Sequence, residues 1–307
     1  MKKVLFATTA LVASTGFAAA EVSLSGSAEI GIFDNGTSDA QFHSDMDVTF
    51  SLSGESDNGL TFGATIDLDE VGNDDAPLAG DDLGDGIDAA GDNEEHTVFI
   101  SGSFGTVTMG DTDGALDWAL TEVLFNNGSI QDDEEHGGYD GNGGLDGDND
   151  GQVLRYDYSF GAFAVAASAE LDDTGSGDDI YGIGFKYDAD LGGIDLSLGL
   201  GYQDGGATFG DVTGVSVTAA FDNGLTAGID YWDASTGQDH IGIGVGYTID
   251  ALSLSANYGE FGTGNDGFGL TVGYDLGGGA VVQFGYGDST VAGVSNDTYS
   301  LGIAMSF

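Results

Sequence analysis

From Glu21 onward the chain alternates between apolar and small or polar residues with a period of two. The last nine residues, 299–307, alternate strictly and end on a phenylalanine. Just upstream, one face of the same pattern is apolar and the other is small or polar: Val282, Phe284 and Tyr286 against Gln283 and Gly285. A strand whose two faces differ in this way separates two media. The pattern therefore predicts a closed barrel with lipid outside and water inside.

Segments of this kind recur along the chain and number about sixteen, each roughly ten residues long, which is the length of a membrane-spanning strand. Clear apolar faces are Val22, Leu24, Ala28, Ile30 and Ile32; Met46, Val48, Phe50 and Leu52; Ile241, Ile243, Val245 and Tyr247; and Phe268, Leu270, Val272 and Tyr274. We therefore predict an all-β fold, a sixteen-strand antiparallel transmembrane β-barrel. Backbone groups cannot stay unpaired in lipid, so segments 21–33 and 297–307 should pair and close the ring.

The predicted connections alternate between short turns and longer polar loops. Short turns are expected at 103–105, 159–161, 222–224 and 276–278. Longer loops are expected at 34–44, 71–93, 111–151, 172–178, 204–210, 233–238, 260–265 and 288–296. This asymmetry is typical of outer-membrane barrels. A globular sandwich can also alternate its loops, but it does not need outward tyrosines near strand ends, which fit an interfacial girdle: Tyr247, Tyr258, Tyr274 and Tyr286.

The first twenty residues have the features of a secretory signal peptide. Lys2 and Lys3 precede an apolar stretch at 4–17, and three alanines at 18–20 form a small-residue cleavage site. We predict a signal peptide at 1–20 and one barrel domain at 21–307. After Glu21 no apolar run is long enough for a transmembrane helix, and the chain has no cysteine for a disulfide.

The charge is strongly one-sided, with 53 acidic residues against four basic ones. Two of the basic residues lie in the predicted signal peptide, which leaves Arg155 and Lys186. Such a chain repels nucleic acid and anionic lipid and attracts cations. The sequence leaves two explanations of the acidic loops open, which are adaptation to high salt and binding of divalent cations.

Several segments, in order and spacing, resemble the general diffusion porins of Gram-negative bacteria. They are the strand–turn–strand at 97–111, the strand at 153–159, the pair at 47–54 and 59–63, and the terminal Phe307. The resemblance implies a homotrimer in the outer membrane. Each subunit would form a water-filled channel for passive diffusion of small hydrophilic solutes, with its third loop folded into the lumen.

The longest connection, 111–151, is the candidate for that loop, and we call it the constriction loop. It carries twelve acidic residues and no Lys or Arg. The apolar spacing of 115–125 suits a helical turn packed against the inner wall. Candidate residues of the eyelet, the narrowest part of the channel, are Asp45, Asp47, Asp111, Asp113, Asp117, Glu122 and Arg155.

The wall that faces the loop departs from the family pattern. The resemblance places a basic position on Asp47 and, in some members, on Asp45. Only Arg155 is left for the basic side, so we expect an eyelet that is negative all round and selects cations. The alternative is that Asp45 and Asp47 lie higher in the mouth and leave the eyelet unaffected.

Asp146, Asp148 and Asp150 match the D-x-D-x-D-G start of a calcium loop, in which oxygen ligands two residues apart curl around a hard cation. The twelfth position, Asp157, lies in a predicted strand, and no helices flank the motif. An EF-hand is therefore disfavoured. A looser Ca²⁺ site is the remaining metal prediction, and no other cofactor is required.

Catalysis has little support in the sequence. The histidines at 43, 96, 136 and 240 belong to no H-E-x-x-H motif, and G-x-S-x-G is absent. We expect His43 and His96 at the surface near loop–strand junctions. The alternatives to a channel are a secreted calcium-binding adhesin, whose nonapeptide repeats are absent, and an outer-membrane hydrolase. We predict that the protein is not an enzyme.

Overall fold

Sixteen antiparallel strands close into one barrel in the computed structural model. The structure describes residues 21–69, 96–125, 128–149, 151–172 and 174–307. The predicted signal peptide at 1–20 and the predicted long connection at 71–93 lie outside the described residues. Each strand pairs with its neighbours in the sequence, and the first strand pairs with the last.

The elements follow one another as a continuous meander. The strands are β1 (Glu21–Asp34), β2 (Gln41–Glu55), β3 (Thr61–Asp69), β4 (His96–Gly102), β5 (Gly105–Gly110), β6 (Val153–Phe160), β7 (Phe163–Glu170), β8 (Ile180–Asp190), β9 (Ile194–Asp204), β10 (Asp211–Phe221), β11 (Leu225–Ala234), β12 (Asp239–Ile249), β13 (Leu252–Phe261), β14 (Asp266–Gly277), β15 (Ala280–Val291) and β16 (Val294–Ser306). Two short helices interrupt them, α1 (Ala115–Ala119) and α2 (Gly206–Phe209). Among the described residues, no helix is long and apolar enough to cross a membrane.

The predicted closure between the first and last strands is confirmed. The β1–β16 register runs antiparallel from Ser27 opposite Ser306 to Asp34 opposite Tyr299. The terminal Phe307 extends this pairing by donating its N–H to the carbonyl oxygen of Gly26 at 2.8 Å. Closure leaves no strand edge in the sheet, as the unpaired backbone groups of an edge would be costly in lipid.

The alternation in the sequence becomes an apolar outer surface and a polar inner one. Large apolar side chains on the outer face of every strand remain exposed, as at Leu200, Ile243 and Phe284. The inward positions beside them are buried and small or polar, as at Gly201 and Ser216. Most buried apolar residues lie inside the barrel, where the constriction loop meets the wall.

The prediction of a long loop at 288–296 is wrong. β15 continues to Val291 and β16 starts at Val294, so the connection is a two-residue turn at Ala292 and Gly293. Both turn residues have positive φ, 51° and 76°, which suits the tight hairpins that follow strand twist. The polar residues that suggested a loop belong to strands that extend beyond the apolar belt into water.

Candidate functional site

The start of the constriction loop is seated on the inner wall by α1. Ala115, Leu116 and Ala119 are fully or almost fully buried against β7, β8 and β9. The wall at this point is made of inward-facing glycines. A methyl group at Gly184 would overlap the carbonyl oxygen of Ala115, and one at Gly201 would lie 2.7 Å from the Cα of Leu116. The prediction of a helical turn packed against the inner wall is therefore confirmed.

The outgoing limb (111–130) of the constriction loop, which contains α1, follows the inner wall as far as the place where β1 pairs with β16. Its contacts with inward glycines are Leu120 with Gly214 of β10, Val123 with Gly244 of β12, and Ile130 with Gly31 of β1 and Gly302 of β16. A return limb (131–151) then runs back toward β7. Its contacts are Gly138 with Gly259 of β13, Trp232 of β11 with Asp140, and Gln203 of β9 with Leu145. The constriction loop thus lies inside the barrel, as predicted.

Polar side chains on the strands hold the backbone of this loop along its course. The bonds are Ala115 N–H to Ser168 Oγ (2.9 Å), Thr121 N–H to Ser216 Oγ (2.9 Å), Asn257 Nδ2 to Glu134 O (2.9 Å), Gly137 N–H to Ser289 Oγ (2.8 Å) and Leu145 N–H to Gln203 Oε1 (2.7 Å). These bonds satisfy backbone groups that would otherwise be buried without partners. Sequence reasoning missed these residues. Gln203 and Asn257 carry one signal, a long polar side chain at an inward position otherwise occupied by glycine or serine, whereas the three serines carry none.

The distal end of the loop is fixed partly by its own carboxylates. Ser129 donates its N–H and its hydroxyl to Glu134, at 3.0 and 2.8 Å, and accepts the N–H of Asp133 at 2.9 Å. Ser300 of β16 donates to Asp133 Oδ2 at 2.5 Å. Acidic residues in this segment therefore bind loop and wall donors rather than solvent alone.

The predicted eyelet residues Asp45 and Asp47 lie on the inner face of β2. Asp45 is opposite Glu29 of β1, and Asp47 accepts a hydrogen bond from Ser27 Oγ at 2.7 Å. Asp67 of β3, also on an inward face, accepts from Thr49 Oγ1 at 3.0 Å. Glu29 and Asp67 extend the acidic wall, and strand alternation alone would have placed them beside Asp45 and Asp47.

The constriction loop brings its own acids toward this wall. Burial is the main reason that the pKa of Asp132 is raised, and the neighbouring charges of Asp133 and Asp45 raise it further. Carboxylates of the loop and of β2 therefore act on one another across a cleft of about 610 Å³ that Asp132, Glu135 and His43 help to line.

Arg155, the single predicted cation of the eyelet, lies at the start of the loop rather than opposite it. Its Nη1 donates to the carbonyl oxygen of Asp113 at 2.5 Å and lies 3.6 Å from the Asp113 carboxylate. Its Nε is 3.8 Å from Asp157. Lys186, the other cation, lies over the Trp118 ring with its Nζ 4.4 Å from the centroid. The two positively charged side chains in the described part of the chain therefore both lie beside α1.

The other predicted loop acids occupy three different environments. Asp111 is at the loop's first position, where its N–H donates to His96 O at 3.0 Å, and burial followed by the Asp113 charge raises its pKa. Asp117 lies on α1, where burial, then Asp113, raises its pKa to about 7. Glu122 accepts a hydrogen bond from Tyr139 and so links the two limbs.

Burial also raises the pKa of two further loop carboxyls. The pKa of Glu134 is raised to about 7 and that of Asp146 to about 6, in both cases chiefly by burial. In contrast, burial lowers the pKa of His136 to about 4, so this side chain is neutral at physiological pH. Part of the constriction loop therefore titrates between about pH 5 and 8.

The D-x-D-x-D-G segment wraps a carboxylate in this structure. The N–H groups of Gly147, Asn149 and Gly151 all donate to the buried Glu170 of β7, at 3.0, 2.9 and 3.2 Å. The Asp146 carboxylate is turned away and accepts from Gly114 N–H at 2.6 Å and Gln203 Nε2 at 2.5 Å.

Two of the three predicted calcium ligands, Asp146 and Asp148, lie among the described residues. Asp150 lies outside the described residues, and among the residues that are described no group of three or more His, Asp or Glu side chains is arranged to hold a metal ion. A calcium site at Asp146, Asp148 and Asp150 stays a prediction.

The expectation that His43 lies at the surface is wrong. His43 is buried, with its Nε2 3.3 Å from the Glu29 carboxylate and its ring edge-on to Phe33. Its position faces inward on β2, where the distal end of the loop covers it. The sequence could not show this cover because it comes from residues almost a hundred positions away.

Comparisons with known proteins agree with this architecture. The family described as Gram-negative porin matches residues 7–289. A porin from Rhodobacter capsulatus is 37% identical over 190 residues, and the alignment spans 60% of this chain and only 56% of that relative. A porin structure refined at 1.8 Å is 26% identical, with a TM-score of 0.71 over 94% of this chain and 100% of that one. A variant of the Rh. blastica porin, 19% identical, shares the fold with a TM-score of 0.64 over 93% of this chain and 100% of its own.

Proposed function

Because this chain belongs to the family of Gram-negative porins, we propose that it is an outer-membrane channel for passive diffusion of small hydrophilic solutes and ions. One observation carries this proposal. The closed barrel has an apolar outer face, a polar lumen and a loop that narrows that lumen from inside. A sixteen-strand barrel is too wide for side chains to fill, so water remains in the space that the loop does not occupy. Porins are channels rather than enzymes, and neither the adhesin nor the hydrolase alternative is retained.

Planar bilayers provide the direct test of conduction. The purified protein should give stepwise current increments that are proportional to the applied voltage, because a permanently open aqueous path needs neither a ligand nor a voltage change to open it. Silence across many confirmed insertions would overturn the proposal.

Cation selectivity is the finer part of the proposal and rests on how charge is distributed. Glu29, Asp45, Asp47 and Asp67 lie on the inner face of β1–β3, and the constriction loop brings further acids, such as Asp132, close to them. Two unit charges ~7 Å apart interact by roughly 2 kcal/mol at an effective dielectric constant near ~20. Because Arg155 and Lys186 are engaged beside α1, the remaining field in the described lumen favours cations.

The double substitution Asp45→Asn/Asp47→Asn tests the wall half of this field. Removing two carboxylates should shift the reversal potential in a KCl gradient toward zero while leaving the channel open. The matched control is Asp250→Asn, in the exposed two-residue turn between β12 and β13, where positive φ suits asparagine. If both variants keep the wild-type reversal potential, Asp45 and Asp47 lie outside the selective region.

We also propose a homotrimer, and the distribution of tyrosine supports it. All eleven tyrosines that lie on strands belong to β6–β16, and none lies between residues 1 and 138. Tyrosine marks the lipid–water interface on barrels, so the outer face of β1–β5 lacks the residue that a lipid-facing sector carries. That face is nevertheless apolar, with Leu24, Phe50 and Val98 exposed. An apolar sector without a girdle fits contact with other copies of the chain.

Mass measurement in mild detergent tests the assembly. We expect the mass of three chains, and a purely monomeric species would contradict the proposal. Introducing charge at Phe50 (Phe50→Asp) should reduce the trimer fraction more than the same change at Phe284, which lies on the tyrosine-bearing side.

Calcium binding at Asp146, Asp148 and Asp150 is a separate proposal. Titration calorimetry with Ca²⁺ should show binding that is lost in Asp148→Asn/Asp150→Asn. Unchanged heats in the double variant would remove this segment as the site.

A further inference from the structure

His240 on β12 is a buried histidine placed between the barrel wall and the return limb. Its side chain is 1% exposed. Its Nε2 lies 2.9 Å from the carbonyl oxygen of Gly138, and its Nδ1 lies 3.3 Å from Oδ1 of Asp230 on β11. Asp230 is likewise 1% exposed, and its carboxylate has no other hydrogen-bond partner among the described residues. We call Asp230, His240 and the Gly138 carbonyl the His240 clasp.

Hydrogen-bond chemistry determines how many protons the clasp holds when it is closed. The Gly138 carbonyl only accepts, so Nε2 must carry a hydrogen. A second proton must lie between Nδ1 and Asp230, because otherwise a buried carboxylate would face a nitrogen lone pair. This proton can sit on nitrogen or on oxygen, and in both forms Nε2–H still donates to Gly138.

Loss of the second proton changes the preferred tautomer. A neutral imidazole has one N–H, and an ionised carboxylate is a stronger acceptor than a peptide carbonyl. The remaining hydrogen should therefore move to Nδ1, facing Asp230. Nε2 then presents a lone pair to the Gly138 oxygen, and two acceptors 2.9 Å apart repel each other.

We propose that His240 is a positioning residue of the constriction loop, which holds the return limb through Gly138 and releases it when the Asp230–His240 pair loses its shared proton. The inference concerns the loop's position and does not depend on the proposed channel function. One proton leaves the pair to solvent, no covalent bond other than that to hydrogen changes, and the Nε2–H to Gly138 bond is lost.

The surroundings of the clasp limit which other groups take part. The loop presents Asp140, His136 and Tyr139 to this region, and Asp140 is occupied by a hydrogen bond from Trp232. Trp232 of β11 stacks on the His240 ring at 6.0 Å, and Phe261 of β13 packs on it at 4.8 Å. Neither aromatic ring titrates. The low pKa of His136 means that it stays neutral while the clasp titrates, so His240 is the histidine that responds.

The backbone around Gly138 leaves the clasp little freedom while it is closed. A methyl group at Gly259 would overlap the Gly138 oxygen and lie 3.1 Å from His240 Nε2. On the loop, four residues before Gly138, the carbonyl oxygen of Glu134 accepts a hydrogen bond from Asn257 of β13. When the clasp opens, the segment between Glu134 and Leu145 keeps its bonds to Ser289 and Trp232 but loses the attachment at Gly138, and we expect residues 138–141 to move toward the lumen.

Spin-label distances test this movement without relying on conduction. The chain has no cysteine, so Gly141→Cys on the return limb and Ser53→Cys on the inner face of β2 can carry a defined label pair. A side chain at Gly141 meets only ordinary contacts, 3.7 Å from Tyr139 and 3.9 Å from Glu122. The full-length labelled protein is measured at about pH 6 and about pH 9.5, on either side of histidine titration.

Three variants give different expectations in this background. The parent should show one narrow distance at low pH and a broad distribution at high pH. In Asp230→Asn the competing carboxylate is absent and the amide can donate to Nδ1, so the distance should stay narrow at both pH values. His240→Gln retains a donor at the Nε2 position without titrating and should also stay narrow, whereas His240→Ala should be broad at both.

The control is His96→Gln, an exposed histidine at the start of β4, which should behave like the parent. The loop carboxyls near pH 7 ionise in the parent and in Asp230→Asn alike, so the difference between these two proteins isolates the clasp. An alkaline broadening that persists unchanged in Asp230→Asn would overturn the proposal, as would a narrow distribution in His240→Ala. A purely structural role would instead loosen Asp230→Asn at both pH values, which would also overturn it. Circular dichroism at both pH values verifies that each barrel is folded.

Discussion

Single side chains on the strands decide where the constriction loop lies. Glu170 is the clearest example, because one buried carboxylate accepts three backbone N–H groups of the loop's last turn. An aspartate-rich segment that is typical of cation binding thereby becomes a nest around an anion. This change from a cation-binding pattern to an anion-binding turn depends on Glu170 of β7, which follows the motif in the chain and is not part of it.

Replacing Glu170 by glutamine should loosen this turn. An amide oxygen accepts less strongly than a carboxylate, and its NH₂ group faces backbone donors, so we expect a cost of about 1–3 kcal/mol. Hydrogen–deuterium exchange of the amides of residues 147–151 should speed up, and open-channel noise should rise. Glu55→Gln, at the exposed end of β2, is the control and should change neither. Unchanged exchange in Glu170→Gln would show that the nest does not hold the turn.

The raised pKa values of loop carboxyls predict a pH dependence with a definite sign. Asp117 and Glu134 have pKa values of about 7 in the folded protein, above their ordinary values near 4, so the folded state binds more protons across this interval. The stabilisation that they contribute is complete below about pH 4 and is lost as the pH rises through about 7. Amide exchange of residues 128–138, corrected for intrinsic rates, should therefore increase from about pH 5 to about pH 8.

Glu134→Gln should flatten this increase, because an amide cannot ionise. The carbonyl oxygen of glutamine still accepts from Ser129, so the local fold is preserved. A wild-type loop that becomes better protected as the pH rises would contradict the sign.

At the scale of elements, α1 packs on inward-facing glycines of β8 (Gly182 and Gly184) and β9 (Gly199 and Gly201). Gly184→Ala should displace the helix, because the new methyl group would meet the Ala115 carbonyl oxygen, and such overpacking costs about 1–3 kcal/mol. Single-channel conductance should change and thermal stability should fall. Gly143→Ala is the matched control, because a methyl group there has no atom within 4 Å. Equal effects of the two substitutions would indicate that this packing does not require glycine.

Strands and loop differ in how far the sequence predicts them. Period-two alternation between lipid and water leaves little choice for a strand such as β14, and closure of β1 on β16 follows from the need to pair every backbone group in lipid. The turn at Ala292 was missed because polar residues at a strand end resemble a loop once the strand has left the apolar belt. Helix α1 was predictable from its apolar spacing, since its burial is periodic.

The path of the loop was not predictable in the same way. Its anchors, such as Ser216 and Asn257, lie about a hundred residues from the groups that they bind and belong to strands in which most inward residues are small. Arg155 shows the same limit. Its strand was placed correctly, but its partner Asp113 and its position beside α1 depend on the way the loop folds back.

For the whole molecule, the excess of acidic residues predicts that the proposed cation selectivity does not depend on one residue. Acids of β1–β3 and of the constriction loop both line the lumen, while the two positively charged side chains among the described residues, Arg155 and Lys186, are engaged near α1. Screening limits each carboxylate to about 8 Å at physiological ionic strength, so the narrow region should select more strongly than the wide mouths. High salt should therefore weaken selectivity while leaving the channel open.

The reversal potential of the wild-type channel in a KCl gradient at low ionic strength tests cation selectivity most directly. We expect a potential whose sign corresponds to preferred passage of K⁺, and whose magnitude falls as both solutions are made more concentrated. A potential near zero at low salt, or one whose sign corresponds to preferred passage of Cl⁻, would contradict a lumen lined by net negative charge.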